Sequence, residues 1–207
     1  MKVEWKPQKT ILVNKTEDPI TLINLVARVC YKSDLPEVDE EKYRFVKKLI
    51  ANGHESPLEF VDFTWLIQTS RAIANELVRH RIASYMQEST RYVKYDHLEI
   101  LQPCKDDKSY TKETFTPSEL ESTIAHYGYL LEQGIKPEFA RDFLPLGLIT
   151  HLYCKMNLRE FRHFLKLRTS KQAHPQMREL AWDMLTDLHI HYPNGIFDTM
   201  FFDINYA

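Results

Sequence analysis

In EFVDFTWLIQTS, residues 59–70, the apolar side chains of Val61, Phe63, Trp65 and Ile67 alternate with Asp62, Thr64, Leu66 and Gln68. That is the period of a strand buried on one face. Ser70 follows, and its hydroxyl can accept from the free amides at the start of a helix, so RAIANELVRH is predicted to be a helix capped by it. The end of that helix delivers Arg79, His80 and Arg81 into a loop.

Outward from this strand and helix the period keeps changing. Upstream, a short strand is expected near residues 10–14 and a helix over 19–31, opened by a first-turn proline. A second helix should run from 39 to 51, with Phe45, Leu49 and Ile50 at helical spacing and Asn52-Gly53 as its stop. Downstream come a strand over 92–101, a polar connection over 103–117 expected at the surface, and helices over 118–133 and about 138–144. An extended piece near 148–154, helices over 158–171 and 175–191, and an aromatic tail, IFDTMFFDINYA, complete the order. Strands and helices do not alternate as βαβ units. The predicted class is therefore α+β, an antiparallel β-sheet flanked by helical bundles, with a single domain over 1–207.

Composition narrows the functions open to such a chain. Its 207 residues suffice for one substantial core, and 43% hydrophobic with 12% aromatic content is ordinary for a folded soluble protein. No apolar run approaches the roughly 18 residues of a transmembrane helix, so no membrane partner is expected. The first 19 residues are broken by charges and prolines and lack the apolar centre of a secretory signal, which makes a cytoplasmic location the expectation. Basic residues number 27 and acidic ones 29, so nothing global draws the chain to nucleic acid, and any anion site must be local. Cys30, Cys104 and Cys154 are odd in number and widely spaced, and are expected as buried thiols rather than a disulfide or metal framework. Neither GxGxxG nor GxxxxGK[ST] occurs, so phosphates, if bound, are bound by side chains.

Two segments concentrate hydrogen-bonding groups. VRHRIASYMQESTRY, residues 78–92, sets Arg79, His80, Arg81 and Arg91 beside Ser84, Gln87, Glu88, Ser89 and Thr90. A planar guanidinium donates two parallel hydrogen bonds to a phosphate or to a carbonyl edge and keeps its charge, although cations at a helix end also suit the helix dipole. The residues alone therefore point only to an anion site. In NLREFRHFLKLR, residues 157–168, Leu158, Phe161 and Leu165 form an apolar stripe while Arg159 and His163 share another face. Arg168 lies nine residues beyond Arg159, so at about 100° per residue it is expected to point the opposite way and serve a second ligand or subunit. GHESPLEF places His54, Glu55, Ser56 and Glu59 before the strand, but a single His-Glu pair lacks the second histidine of a zinc-binding HExxH, and no metal is expected. His126, His151 and His189 are assigned no functional role.

Arg79-His80-Arg81, seven residues, then Ser89 resembles the signature of the flavin-dependent thymidylate synthases. GHESPLEF, ARDFLPL from Ala140 and NLREFRHFLKLR resemble further segments of that family in the same order, over about three quarters of the chain. The resemblance implies that family's fold, a homotetramer with active sites at subunit interfaces, and one FAD per site. It further implies conversion of dUMP to dTMP, with NADPH reducing the flavin and methylenetetrahydrofolate donating the carbon and leaving as tetrahydrofolate. Carried over by position, His54, Ser56, Glu59, Arg79, His80, Arg81, Gln87, Asn157, Arg159 and His163 line the flavin. Glu76, Arg79, Gln87, Glu88, Ser89, Thr90, Arg91, Arg141 and Arg168 face dUMP. Within that set Ser89, Arg91 and Arg141 suit the phosphate. Arg168 is the catalytic candidate, a fixed cation at the uracil edge where negative charge develops as C5 becomes nucleophilic. Ser89 is expected to bind rather than attack, since no partner base is visible to activate it.

The sequence departs from the family's commonest pattern at a few positions. Glu76 stands where glutamine is usual, Met86-Gln87 where Asn-Glu is frequent, His163 where asparagine is, and Gln172 where some members have histidine. A carboxylate at 76 beside a dianionic nucleotide must be protonated or paired, with Arg79 as the expected partner. Alternatives remain a related flavin enzyme adding another one-carbon group, such as a pyrimidine-nucleotide hydroxymethylase or methylase, a nucleic-acid-binding module, and a structural oligomer whose arginines pair across interfaces.

Overall fold

The alternating stretch forms β3 (Asp62–Ser70), the strand on which the rest of the structure is assembled. A computed structural model describes residues 3–104 and 117–192. Phe63, Trp65 and Ile67 are fully buried while the residues between them are half-exposed, the alternation that a one-faced strand requires. On one side β3 pairs with β2 (Lys9–Lys15), and on the other with β6 (Ile149–Asn157), both antiparallel. β4 (Ala83–Gln87) closes the order β2-β3-β6-β4 by pairing antiparallel with β6. Register aligns Trp65 with Cys154 and Cys154 with Tyr85, so one face of three strands feeds a common core.

The helices cover that face. Pro19–Val29 is α1, started by Asp18, whose side chain accepts from the Thr21 amide, and Asp39–Ala51 is α2. Ser70 caps α3 (Arg71–Leu77) through the Ile73 amide, as its position after the strand predicts. Leu158–Arg168 is α6 and Pro175–His191 is α7. Leu158, Phe161, Phe164 and Leu165 of α6 meet Met177, Leu180 and Met184 of α7 and the inner residues of β3 in one continuous core.

Several boundaries differ from the sequence reading. The strand expected over 92–101 shrinks to β5 (Leu98–Leu101), because the Tyr92 and Val93 amides both bond the Ser89 carbonyl and close a turn. β5 pairs with β1 (Val3–Lys6) in a parallel two-stranded sheet that the sequence reading did not contain. Beneath it lies a small second core of Leu98, Ile100, Leu148 and Ile124, the last from α4 (Pro117–Glu132). β4 falls inside the segment read as loop; ASYMQ has no clear apolar alternation and is extended because β6 offers it a free edge. The helix expected about 138–144 is a single turn, α5 (Pro137–Ala140), continued by a 3-10 turn at Arg141–Phe143. α1 and α6 end two and three residues earlier than expected, at Val29 and Arg168. Cys104 and Cys154 are buried, but Cys30 sits exposed at the end of α1, against the expectation for all three. The aromatic tail at 196–207 and most of the polar connection at 103–117 lie outside the described residues.

Candidate active site

Three chain segments converge around α6, each aimed by an identifiable local device. Gly53, at φ +71, ends α2; its amide bonds the Ile50 carbonyl and that of His54 the Leu49 carbonyl, the paired closure that turns the chain sharply into Glu55 and the 3-10 turn Ser56–Phe60. The end of α3 brings Arg79 to Ile82 alongside. Asn157 starts α6, its side-chain oxygen accepting from the Glu160 amide at 2.9 Å. Between these walls lies a cleft of about 800 Å³. Six cationic side chains line it, Arg79, Arg81, Arg159, Arg162, Lys166 and Arg168, against three carboxylates, Glu55, Glu59 and Glu160. Such an excess suits a multiply charged anion, and the forked guanidinium groups suit its phosphates and carbonyl edges.

At the end of α6 the arrangement is specific. Arg168 donates from Nε to His80 Nε2 at 3.0 Å, and its Nη1 reaches Glu76 Oε2 at 3.3 Å. His80 Nδ1 lies 3.3 Å from Glu160 Oε1. The His80 ring is 5% exposed and stands edge-on to Phe164. Burial, then the positive charge of Arg168 and the neighbouring His163, push the His80 pKa down to about 4, so the ring is neutral at pH 7. Burial pushes the Glu160 carboxyl up.

A stability prediction follows from His80. Its folded pKa is below the ordinary value of 6.5, so the unfolded chain takes up the proton first as pH falls. The folded state should lose up to about 3 kcal/mol from this group between pH 6.5 and 4. Glu160, shifted upward, offsets part of that loss. Thermal melting followed against pH checks this: the decline should be shallower in His80→Gln, and an equal slope in both proteins would count against a buried neutral ring.

Of the expected flavin-side residues, the cleft gathers Glu59, Arg79, His80, Arg81, Asn157, Arg159 and His163. His54 and Ser56 are exposed on its border, beside the lining residue Glu55, and Gln87 lies elsewhere. Arg168 lines the same cleft as Arg159 instead of an opposite side; Glu76 and His80 anchor its long side chain and turn it back from the last position of the helix. Glu76 finds its partner in Arg168, not in Arg79. Asn157 spends its oxygen on the helix cap, which leaves its amide nitrogen for a ligand.

The remaining nucleotide-side residues form a second group. Gln87 donates to Thr150 at 3.2 Å, and Glu88 accepts from Tyr95 at 2.6 Å and faces His151 at 3.3 Å. Ser89 Oγ accepts from the Arg91 amide, so the hydroxyl and guanidinium two residues apart sit on one turn. Thr90 is buried there, Arg91 pairs with Glu138, and Arg141 is exposed three residues beyond Glu138. None of Ser89, Thr90, Arg91 and Arg141 lines the cleft. Sequence reasoning missed Glu55, Ile82, Glu160, Arg162, Lys166 and Leu167. The signal for Glu160 and Arg162 was present, since two charges flank Phe161 on the buried stripe of α6, and both are under 10% exposed.

Comparisons with known proteins place the chain in a family. A family model described as thymidylate synthase complementing protein matches residues 11–194. The chain is 35% identical over 196 residues to a flavin-dependent thymidylate synthase of Pyrococcus furiosus, with 87% of this chain and 78% of the relative covered. It is 36% identical over 186 residues to one from Geobacter sulfurreducens, covering 86% and 80%. Among solved structures, the UMP/dUMP methylase PolB from Streptomyces cacaoi, crystallised with 5-Br dUMP, superposes with a TM-score of 0.77 over 96% of this chain and 97% of that one. At 22% identity that likeness establishes the fold alone.

Proposed function

Because this chain belongs to the flavin-dependent thymidylate synthase family, we propose that it converts dUMP to dTMP with FAD bound in the arginine-lined cleft. The observation that carries the reading is the cleft itself, six cationic side chains against three carboxylates, walled by the segments that hold the Arg-His-Arg triplet and α6. That donor set fits a flavin dinucleotide, whose pyrophosphate is a dianion and whose ring carries a carbonyl edge. Arg79, Arg81 and Arg159 are positioned to hold it, with Asn157, His163 and Glu59 beside them, His54 and Ser56 at the border, and His80 at the floor. The chemistry supplied by bound FAD is hydride transfer, from NADPH towards the one-carbon unit given by methylenetetrahydrofolate.

The nucleotide falls to the second group and to Arg168. Ser89, Arg91 and Arg141 take the dUMP phosphate, with Gln87, Glu88 and Thr90 shaping the turn that presents them. Arg168 takes the uracil edge, where a guanidinium held by Glu76 and His80 needs no reorganisation as charge develops. Cys154 offers no thiolate nucleophile, because burial holds its sulfur up at about 12.

The phosphate group and the flavin group occupy separate parts of one chain, which supports a site completed by a neighbouring copy in a homotetramer. A cross-strand row on the outer face of the sheet, Ile11, Leu66, Tyr153 and Met86, supports the same reading, with Ile11 55%, Tyr153 48% and Met86 74% exposed. Such strips are usually covered. We place the enzyme in the cytoplasm as one domain; among the described residues no helix is long and apolar enough to cross a membrane.

The test is direct. Purified protein should be yellow and, given NADPH, dUMP and methylenetetrahydrofolate, should release dTMP. Protein that stays colourless with added FAD would remove the flavin reading, and a hydroxymethylated or otherwise modified nucleotide would move it to a sister activity. Arg91→Ala should raise the KM for dUMP by about 10-fold or more, as loss of a charge-assisted phosphate contact predicts, with FAD binding unchanged. An unchanged KM would take Arg91 off the phosphate.

A further inference from the structure

Glu160 occupies the third position of α6, where a glutamate after an Asn cap ordinarily reaches back to the cap's own amide. Here its carboxylate instead turns inward, 6% exposed, to His80. The far side of that ring meets Arg168. Resting on the functional reading above, we infer that Glu160 is a positioning residue: through the His80 ring it fixes the direction in which Arg168 presents its guanidinium to the nucleotide.

The argument is one of donors and acceptors. Arg168 Nε carries a hydrogen and has no lone pair to offer, so the His80 Nε2 it meets at 3.0 Å must be bare. A neutral imidazole with a bare Nε2 carries its proton on Nδ1, the atom facing Glu160 Oε1 at 3.3 Å. The carboxylate and Arg168 thus favour the same tautomer from two sides of the ring, and the bond from Nδ1 to Glu160 fixes the orientation in which Nε2 meets Arg168. Two further contacts hold the ring, the edge-on Phe164 ring with centroids 5.1 Å apart and the His163 ring at 6.1 Å, and the Tyr85 hydroxyl anchors the backbone by donating to the His80 carbonyl at 2.9 Å. Glu76 closes the chain on the other side of Arg168.

Remove the carboxylate and the ring loses its anchor. The Nδ1 hydrogen has no acceptor in a buried place, and since Arg168 still favours a bare Nε2, the ring relieves this by turning towards another acceptor, which takes Nε2 out of line with the Arg168 Nε hydrogen. Arg168 then loses its fixed direction. Displacement of a catalytic cation by about an ångström is a 10- to 100-fold matter for turnover.

The experiment has two arms. In the first, ¹⁵N-histidine NMR of the wild-type protein at pH 7, without substrates, should find His80 as the Nδ1–H tautomer, its signal assigned by its loss in His80→Gln. Glu160→Ala should keep the Nδ1–H tautomer but move the Nδ1 resonance as its carboxylate acceptor is lost, and an unchanged Nδ1 resonance overturns the proposal. An Nε2–H tautomer or an imidazolium in the wild type overturns the proposal. In the second, Glu160→Ala should lower kcat about 10- to 100-fold with FAD still bound, and Glu160→Gln, whose carbonyl oxygen can still accept from Nδ1, should recover most of it. Wild-type turnover in Glu160→Ala, or failure of Glu160→Gln to exceed the alanine variant, overturns it. Should the alanine variant not fold, the wild-type tautomer and Glu160→Gln, read against wild-type turnover, decide the matter. Because the tautomer is read in the absence of any nucleotide, failure of the dyad and failure of the functional reading are distinguishable.

Discussion

Arg168→Ala should lower dTMP formation by about 10²- to 10³-fold, the usual cost of deleting a preorganised charge at a developing anion, while the protein still binds FAD. The magnitude rests on how the guanidinium is held. Its Nε is committed to His80, its Nη1 to the Glu76 carboxylate and its Nη2, at 3.5 Å, to the Glu76 carbonyl, so the remaining Nη hydrogens are presented to the uracil edge at a fixed angle. Arg168→Lys keeps the charge but has no Nε hydrogen for His80 and no second arm for Glu76, and should recover little. The flavin-side cations Arg79, Arg81 and Arg159 are untouched by either change, which is why binding of FAD is expected to persist. Turnover measured beside the flavin absorbance separates the two effects. Unchanged turnover would take Arg168 out of the mechanism, and loss of FAD would reassign it to the cofactor.

The same residue shows what the sequence could and could not convey. Its membership of α6 was legible, because Leu158, Phe161 and Leu165 mark the buried stripe. Its direction was not. A rotation of about 100° per residue places Cα atoms, whereas a long side chain at a helix end goes where its partners are. Those partners, Glu76 and His80, lie 92 and 88 positions away in the chain. For the same reason Glu76 was read with Arg79, its neighbour along the sequence, when the sheet and α3 bring Arg168 to it instead. Elements whose period is strong were read nearly to the residue, as with Asp39–Ala51, whose stop is written in Asn52-Gly53, and Pro175–His191. β4 and β1 were lost because an edge strand and a four-residue strand draw their order from a partner, not from their own pattern. The flavin-side residues emerged from a resemblance of motifs, and the structure gathers most of them around one cleft. Of the nucleotide-side residues, Arg79 and Arg168 line the same cleft, while Gln87, Glu88, Ser89, Thr90, Arg91 and Arg141 do not.

Phe161→Ala should be the most destabilising of the single changes considered, by about 3–5 kcal/mol, as for other large aromatic truncations in well-packed cores. Phe161 is fully buried, stacked on Trp65 with centroids 4.8 Å apart and in contact range of Phe63 and Phe164 at 6.1 and 6.0 Å. It is the side chain that seats α6 on β3, and the neighbours most able to fill its space are rigid aromatic rings, so the cavity should collapse poorly. For a chain of this size the loss corresponds to a fall in Tm of about 6–20 °C; a shift of a degree or two would show that the site repacks. A second reading of the same melt tests whether core and cleft are one unit. Arg159, His163 and Arg168 ride on this helix, so loosening its seat should also weaken FAD binding. Saturating FAD at about 100 times its Kd stabilises a native protein by about 2.7 kcal/mol. At that same FAD concentration the gain in Tm should be clearly smaller in Phe161→Ala than in the wild type, whereas in Arg168→Ala it should be retained. A full FAD-induced shift in Phe161→Ala would mean that the flavin is held by segments independent of the seat of α6.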